Sequence, residues 1–322
     1  MPPQLIFGTA SFGMDMTDFQ DPPSLFALYK TLQELGIRKL DSGARYPPLN
    51  PGRAESLIGE TKEMNKEFLI DTKVFTDVRT DGSGDLKGEA IESSIQGSLQ
   101  RLKAAKGVNI LHAHRADPST PLDKQIQEFN RQIELGRCEA WGVSNIAPQM
   151  LEEMILLCEK MGLRKPVCYQ GDYNLITRGM ETELLPLLRS HGIAFNAFRP
   201  LAAGFLTGKL VNNEHGGTRF DDSNPLGKGA QKLFGGEQLH SAMRKFDVQV
   251  RLQNITPMEA AIRWIAYNSA LGNGDGIILG ASKTEQIRET VMMMRKGPLP
   301  AEVLEAADDL WSNVGGIRGE IV

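Results

Sequence analysis

Four residues of different chemistry follow short apolar segments of the sequence: an acid, a phenol, an amine and an imidazole. Asp41 and Lys73 each end such a segment, and so does His114. Tyr46 comes five positions after Asp41, in the loop that follows. If these segments are strands, the four side chains can meet only where neighbouring strands have their C-terminal ends on one side. That arrangement is the active face of a parallel β/α architecture.

The four groups together could deliver a proton to an oxygen atom. A positive charge beside a phenol stabilises the phenolate, so Lys73 would make Tyr46 a better proton donor. Asp41 can pair with Lys73 and hold it, and His114 can hydrogen-bond the same substrate oxygen. Each residue alone could be structural, but the set suits a carbonyl group whose oxygen becomes an alkoxide when hydride reaches its carbon. We find no serine or cysteine nucleophile with its base in the sequence.

Short apolar segments alternate with amphipathic ones along almost the whole chain. Several apolar segments are rich in β-branched residues without alternation, as in parallel strands covered on both faces. The predicted strands are residues 5–10, 37–42, 68–74, 108–114, 140–144, 167–170, 193–198 and 276–279. The predicted helices are residues 24–35, 88–103, 121–135, 148–161, 181–190, 257–268, 284–294 and 300–313. This order predicts an α/β fold, a (β/α)8 TIM barrel with an extra C-terminal helix, as one domain over residues 1–322.

Composition narrows the class of protein. The chain has 322 residues, of which 41% are hydrophobic and 24% charged, as in ordinary globular proteins. A net charge of −4 gives no reason to expect binding to nucleic acid or to an anionic membrane. No apolar run approaches the ~18 residues of a membrane span, and the start of the chain lacks the basic region of a signal peptide, so we expect a cytoplasmic protein. Cys138, Cys158 and Cys168 are predicted to be free, buried thiols.

Two segments depart from the strand–helix alternation. Residues 204–246 are rich in glycine and asparagine and weakly periodic, which predicts a long functional or mobile loop. Residues 79–85 contain Gly-Ser-Gly and predict a flexible turn. The segment from Gly204 to Lys209 resembles a phosphate-binding loop, but Leu210 replaces the serine or threonine that would hold magnesium. We therefore expect no nucleoside triphosphate chemistry.

A pair of histidines raises an alternative, because barrel metallohydrolases use such pairs as metal ligands. His112 and His114 are two positions apart on one predicted strand and point to the same side. A complete site needs further ligands at other strand ends. His191 lies in a helix-to-strand turn, and His215 and His240 lie in the long loop. We therefore expect no metal and interpret His112 as a core residue, with a metallohydrolase as the alternative.

Motifs around these residues resemble the aldo-keto reductase family over nearly the whole chain. The segment from Leu40 to Tyr46 resembles the family's Asp-to-Tyr motif, and residues 71–73 resemble its lysine strand. The sequence from His114 to Pro121 resembles its histidine strand. Within the family, the chain is most similar to the branch typified by aflatoxin-aldehyde and succinic semialdehyde reductases. The segments that carry this similarity are residues 143–145, 169–174 and 200–209.

The resemblance implies an NADP(H) cofactor that lies extended over the C-terminal face of the barrel. The residues implied to contact the nicotinamide are Ser144, Asn145, Gln170 and Phe198, the last stacked under the ring. Those implied to contact the rest of the cofactor are Arg199, Leu201, Gly204, Lys209, Arg219, Ser282, Lys283, Gln286, Glu289 and Thr290. A cation at Lys283 suits the 2′-phosphate, which favours NADP over NAD.

Several positions depart from the family pattern. Arg199 replaces a small polar residue, and Arg115 follows the catalytic-type histidine. Thr290 replaces an adenine-binding asparagine, and the similarity to the branch ends after Phe220. Arg115 and Arg199 could attract a carboxylate or phenolate substrate. They could equally pair with Asp117 or with the cofactor, and both interpretations stay open.

The resemblance and the four residues predict an NADPH-dependent reductase of an aldehyde or ketone, with Tyr46 as the proton donor. The alternative on the same fold is a weakly catalytic, NADP-binding redox sensor or accessory subunit. The expected partner is a small carbonyl compound, and the branch suggests a homodimer by analogy. The sequence does not identify the carbonyl, because substrate choice in this fold depends on loops.

Overall fold

Within residues 2–318, which the computed structural model describes, eight parallel strands close into a barrel in sequence order. Met1 and residues 319–322 lie outside the described part, and so do the outer limits of the predicted domain. The strands are β1 (Gln4–Gly8), β2 (Lys39–Asp41), β3 (Leu69–Lys73), β4 (Val108–Ala113), β5 (Cys138–Ser144), β6 (Cys168–Asp172), β7 (Ala194–Phe198) and β8 (Gly276–Leu279).

Helices connect the strands and cover the outside of the barrel. In the described part of the chain they are α1 (Pro22–Leu35), α2 (Arg53–Glu60), α3 (Gly88–Leu102), α4 (Leu122–Glu134), α5 (Pro148–Met161), α6 (Leu184–Ser190), α7 (Gly227–Phe234), α8 (Glu237–Arg251), α9 (Pro257–Tyr267), α10 (Thr284–Met294) and α11 (Ala301–Arg318). The C-terminal helix α11 packs against α8. The predicted (β/α)8 TIM barrel with an extra C-terminal helix is confirmed.

Cap residues explain where several helices begin and end. Helix α1 ends at Gly36 and α5 ends at Gly162, with φ values of 83° and 66° in the left-handed region that glycine adopts without strain. The side chain of Thr256 accepts a hydrogen bond from the Glu259 amide at 3.1 Å, and Pro257 occupies the first turn of α9. These three predicted boundaries are confirmed.

The strands carry two chemically different faces, because successive side chains of a strand point to opposite sides. Leu40 of β2 faces outward and joins the apolar core between the barrel and its helices. Its neighbours on either side face inward. Lys39 Nζ lies 2.9 Å from Asp71 Oδ2, and one step higher Lys73 Nζ lies 2.7 Å from Asp41 Oδ2. Two stacked ion pairs therefore link β2 to β3 inside the barrel.

The prediction of a long irregular loop over residues 204–246 is wrong for its second half. Helices α7 and α8 occupy that part of the chain, and α8 also packs against α9. The buried residues at helical spacing on α8 include Leu239, Met243, Phe246 and Val250. The helical spacing of these apolar residues was therefore present in the sequence. Gly235 and Gly236, directly before the helix, interrupt the apolar periodicity and hid it. The segment 79–85, predicted as a turn, lies between β3 and α3 without helix or strand.

Helix α2 was not predicted, and some boundaries differ by a few residues. β2 is only three residues long, and α6 begins at Leu184 after a separate 3-10 turn. Helix α2 has eight residues and buries an acid, Glu55, which obscures its apolar face. Glu55 accepts hydrogen bonds from Thr72 at 2.5 Å and from Arg101 at 2.8 Å. The charge of Glu55 is compensated by Arg101, which is 46 positions away in the sequence.

The structure bears on two expectations from composition, one about the cysteines and one about membrane-spanning helices. The three cysteines are free and buried, as predicted. No helix in residues 2–318 has the length and apolar character that crossing a membrane requires.

Arg178 connects the C-terminal helix to the rest of the protein. Its guanidinium lies 4.3 Å from the ring centroid of Trp264 in α9 and 5.8 Å from that of Trp311 in α11. It also donates to the Ala307 carbonyl and to Asp308, each at 3.0 Å. We expect Arg178→Leu to lower the free energy of unfolding by about 2–4 kcal/mol in urea denaturation, because buried cation–π contacts and charged hydrogen bonds are lost.

Asp308→Asn is the matched control for this prediction. The Asp308 side chain is 73% exposed, so removing its charge should cost about 1 kcal/mol or less. An equal loss of stability in the two variants would contradict the importance of the buried contacts of Arg178.

Candidate active site

Asp41 and Lys73 form a buried ion pair at the C-terminal ends of β2 and β3. Lys73 Nζ lies 2.8 and 2.7 Å from the two oxygens of Asp41 and donates to the Ser42 carbonyl at 2.7 Å. Burial alone would lower the pKa of Lys73, but Asp41 and the Tyr46 phenol group raise it above the usual lysine value. The amine therefore stays protonated, and its three N–H groups are directed at oxygen atoms.

Tyr46 stands beside this pair on the loop after β2. Its amide donates to the Gly43 carbonyl at 2.9 Å, which closes a turn. The Ala44 amide donates to the Lys73 carbonyl at 3.1 Å, which ties the turn to β3. The Tyr46 ring is half-buried, with its centroid 4.9 Å from Lys73 Nζ. The ammonium therefore acts on the phenol at short range.

His114 follows the last residue of β4 and completes the group. Its ring meets that of Tyr46 edge-on, with centroids 5.7 Å apart at an angle of 84°. Burial lowers the pKa of His114 from 6.5 to about 3, assisted by the charges of Lys73, Arg45 and Arg115. The imidazole is therefore neutral near pH 7, where it can donate one hydrogen bond without carrying charge. Among the described residues, its buried Nδ1 atom has no hydrogen-bond partner.

His112 lies deeper in the barrel wall. Its Nδ1 atom is 3.4 Å from the Thr72 carbonyl oxygen, and the missing side chain of Gly142 makes room for its ring. Burial, followed by the charge of Lys73, lowers the pKa of His112 well below its usual value. His112 is thus a core residue, as predicted. In the part of the chain that the structure describes, no group of three or more His, Cys, Asp or Glu side chains is placed to hold a metal ion.

The polar residues implied as nicotinamide contacts lie beside Asp41 and His114. Ser144 ends β5, and Asn145 follows it with a left-handed φ of 53°. Asn145 Nδ2 donates to the His114 carbonyl and to Ser144 Oγ, both at 3.0 Å. Gln170 Nε2 donates to Asp41 Oδ1 at 2.7 Å. The side-chain nitrogen of Gln170 is therefore engaged with the ion pair, and its side-chain oxygen is available to bind a ligand.

The end of β7 presents an aromatic ring beside a cation. Phe198 is half-buried, and the Arg199 guanidinium lies 5.5 Å from its ring centroid. Arg199 Nη1 donates at 3.0 Å to Asp172, a buried acid at the end of β6. Leu201 and Gly204 follow in a tight segment, where a φ of 100° at Gly204 favours glycine. The structure thus brings Phe198 and Arg199 to the same barrel face as Asp41, Lys73 and His114.

Three cations implied for the cofactor phosphates are exposed: Lys209, Arg219 and Lys283. Within residues 2–318 none of them has an ion-pair partner. Lys283 directly precedes α10, so a positive charge stands at the N-terminus of a helix, where backbone amides also favour anions.

The other residues implied around the adenosine differ in exposure. Gln286 Oε1 accepts from the Ser282 and Lys283 amides at 2.9 and 3.2 Å, which orders the start of α10. Glu289 is exposed. Thr290 is buried, and its hydroxyl donates to the Gln286 carbonyl at 2.7 Å. Thr290 is therefore turned into its own helix and not toward the surface.

Arg115 is tied to the loop between β3 and α3. It donates to the Asp77 carbonyl at 2.7 Å and to the Thr80 carbonyl at 2.9 Å, and it pairs with Asp85 at 3.1 Å. Asp117 accepts instead from backbone amides of that loop and of its own turn. The suggested pairing of Arg115 with Asp117 is therefore wrong, because Asp85 takes that place.

Arg45 is the residue near the site to which the sequence assigned no role. It is half-buried, and its charge acts on the imidazole of His114. The available signal was its position directly before Tyr46 in the motif.

The sequence matches one known protein family over most of its length. The model of the family described as "Aldo/keto reductase family" matches residues 4–312. The chain belongs to the aldo/keto reductase family. The resemblance seen in the strand-end motifs is thereby confirmed, and this aldo/keto reductase is an oxidoreductase.

Named relatives are similar to this aldo/keto reductase over most of their length. An aldo-keto reductase of Pseudocercospora fijiensis is 30% identical over 289 residues, which cover 88% of this chain and 96% of the relative. The oxidoreductase sirO of Leptosphaeria maculans is 30% identical, with 97% and 94% of the two chains covered. Aflatoxin B1 aldehyde reductase member 2 of Mus musculus is 29% identical, with 97% and 85% covered. The predicted similarity to the aflatoxin-aldehyde branch is confirmed.

Proposed function

We propose that this protein reduces an aldehyde or ketone with NADPH, and that Tyr46 donates the proton to the carbonyl oxygen. One observation carries the proposal: the buried Asp41–Lys73 pair has its ammonium 4.9 Å from the centroid of the half-buried Tyr46 ring. A fixed cation beside a phenol favours proton donation to a developing alkoxide. Relatives named as aflatoxin B1 aldehyde reductases support a carbonyl substrate.

Each of the four residues has a separate task in this mechanism. Neutral His114 donates a hydrogen bond to the carbonyl oxygen and orients it toward Tyr46. The Tyr46 hydroxyl transfers its proton to that oxygen as negative charge develops there. Lys73 stabilises the phenolate that remains, and Asp41 holds Lys73 in place and balances its charge.

The residues around the site fit an NADP(H) cofactor, which supplies the hydride when bound. The side-chain oxygens of Gln170 and Asn145 lie beside Asp41 and His114, as acceptors for the N–H groups of a carboxamide. The unpaired cations Lys209, Arg219 and Lys283 suit the phosphates of a dinucleotide. The donor set thus matches a ligand with a polar head and several anionic groups.

A panel of neutral and acidic aldehydes and ketones tests the proposal, with the reaction followed at the absorbance of NADPH. We expect steady turnover of at least one aromatic aldehyde. NADPH binding, detected by quenching of protein fluorescence, without turnover of any carbonyl would favour the redox sensor or accessory subunit instead.

The choice of NADPH over NADH is expected to depend on Lys283. Lys283→Ala should weaken NADPH binding about tenfold, because a charged contact to the 2′-phosphate is lost. The same variant should bind NADH within about twofold of the wild type, since NADH lacks that phosphate. Fluorescence titration with both cofactors measures the two constants. Equal weakening of both would contradict a phosphate contact.

A further inference from the structure

Arg45 is held in a fixed position beside the proton donor. Its chain neighbours are anchored on both sides: the Ala44 amide donates to the Lys73 carbonyl, and the Tyr46 carbonyl accepts from the Ala54 amide, both at 3.1 Å. The side chain of Arg45 is half-buried. The backbone of Arg45 is therefore fixed on the loop after β2, directly before Tyr46.

Arg45 differs from Arg115 and Arg199 in having no partner for its guanidinium. The Arg115 guanidinium donates hydrogen bonds to the loop after β3, and Arg199 pairs with Asp172 at 3.0 Å. Among the residues that the structure describes, Arg45 has no hydrogen-bond acceptor and no ion-pair partner for its guanidinium. Of these three arginines, Arg45 alone is free to bind a ligand.

The charge of Arg45 acts on two groups at this edge of the barrel. After burial and the charge of Lys73, it helps to lower the pKa of His114. It also contributes to the lowered pKa of Asp77, for which the hydrogen bonds of Arg79 are the main cause. The Asp77 oxygens accept from Arg79 at distances of 2.6 to 3.1 Å, so another arginine compensates that acid. The positive charge of Arg45 remains available near His114.

We propose that Arg45 is a specificity-determining residue that binds a carboxylate on the carbonyl substrate. A guanidinium offers a planar pair of N–H donors, which matches the two oxygens of a carboxylate. The substrate class is therefore an aldehyde or ketone that carries a carboxylate on the side facing the loops after β2 and β3. The proposal rests on the proposed function, because Arg45 serves the carbonyl site of Tyr46 and His114.

Two substrates that differ only in charge test this role: para-carboxybenzaldehyde and its methyl ester. The value of kcat/KM with NADPH is measured for both substrates in the wild type and in Arg45→Gln and Arg45→Lys. We expect the wild type to favour the acid, and Arg45→Gln to lower the acid-to-ester ratio about tenfold. Arg45→Lys should keep part of the preference, because it keeps the charge. A substitution that disturbs His114 or folding changes kcat/KM for both substrates alike. Such an effect therefore cancels in the acid-to-ester ratio.

Arg79→Gln is the matched control. It removes the same charge from the neighbouring loop, at a side chain that is 87% exposed. We expect its acid-to-ester ratio to stay within about twofold of the wild type, because exposed charges are screened by salt. The proposal is overturned if Arg45→Gln leaves the ratio unchanged. It is also overturned if Arg79→Gln lowers the ratio equally, which would indicate long-range attraction and not contact.

A binding measurement separates this inference from the proposed function. If the wild type reduces neither compound, the proposed function fails, and calorimetric binding of para-carboxybenzyl alcohol decides the role of Arg45. Arg45→Gln should weaken that binding about tenfold, and Arg79→Gln should leave it unchanged. Absence of binding to the wild type, or equal affinity in Arg45→Gln, overturns the proposal.

Discussion

Tyr46→Phe is expected to lower kcat for an aromatic aldehyde by about 10²–10⁴-fold, the usual contribution of a positioned proton donor. The substitution removes only the hydroxyl, so the ring keeps its place beside His114 and Lys73, at 5.7 and 4.9 Å. NADPH affinity should stay within about twofold of the wild type, because the lost interaction is with the transition state. Steady-state rates followed at the NADPH absorbance measure the effect.

Tyr267→Phe provides the matched control, since it makes the same chemical change at the end of α9. Tyr267 is 37% exposed and has no part in the site, so kcat should not change. Turnover of Tyr46→Phe at the rate of the wild type would show that another group donates the proton.

Lys73→Met should reduce both activity and stability. Asp41 would then be a buried acid without its cation, at a cost of about 3–5 kcal/mol in the free energy of unfolding. The phenolate of Tyr46 would also lose its stabilising charge, so kcat should fall by at least about 10²-fold. Urea denaturation and steady-state kinetics on the same preparation measure the two effects.

The double variant Asp41→Asn/Lys73→Met separates chemistry from folding. It removes both charges, so no unpaired ion remains in the barrel, and we expect most of the lost stability to return. Activity should remain low, because Lys73 is still absent. Recovery of activity together with stability would mean that Lys73 serves only the fold.

The clustering of Asp41, Tyr46, Lys73 and His114 could be predicted because each of them ends or follows a short apolar run. A parallel barrel brings the C-terminal ends of its strands to one face, so position in the sequence was enough to place Asp41 and Lys73 together. Helix ends were predictable for a similar reason. Gly36 and Gly162 carry their conformational preference locally, whatever packs around them.

Side-chain partners could not be predicted, because no local pattern encodes them. Gln170 and the acid it contacts, Asp41, are 129 positions apart. Arg115 pairs with Asp85 because the loop after β3 lies against the residues that follow β4. The unpaired state of Arg45 is visible only once Asp77 has been assigned to Arg79 and Asp85 to Arg115. Which charged side chains pair is therefore known only from the folded structure, whereas the ends of strands can be recognised in the sequence.

The two stacked ion pairs also restrict how β2 and β3 can align. Lys39 pairs with Asp71 and Asp41 pairs with Lys73, so the order of charges along β2 is the reverse of that along β3. In the register of the two strands Lys39 is the partner of Leu69 and Asp41 that of Asp71, so each ion pair reaches diagonally across the strand pair. A slide of one residue would turn the charges into the apolar layer under the helices. The ion pairs beside Tyr46 therefore also penalise a shift of one residue between the two strands while the barrel assembles.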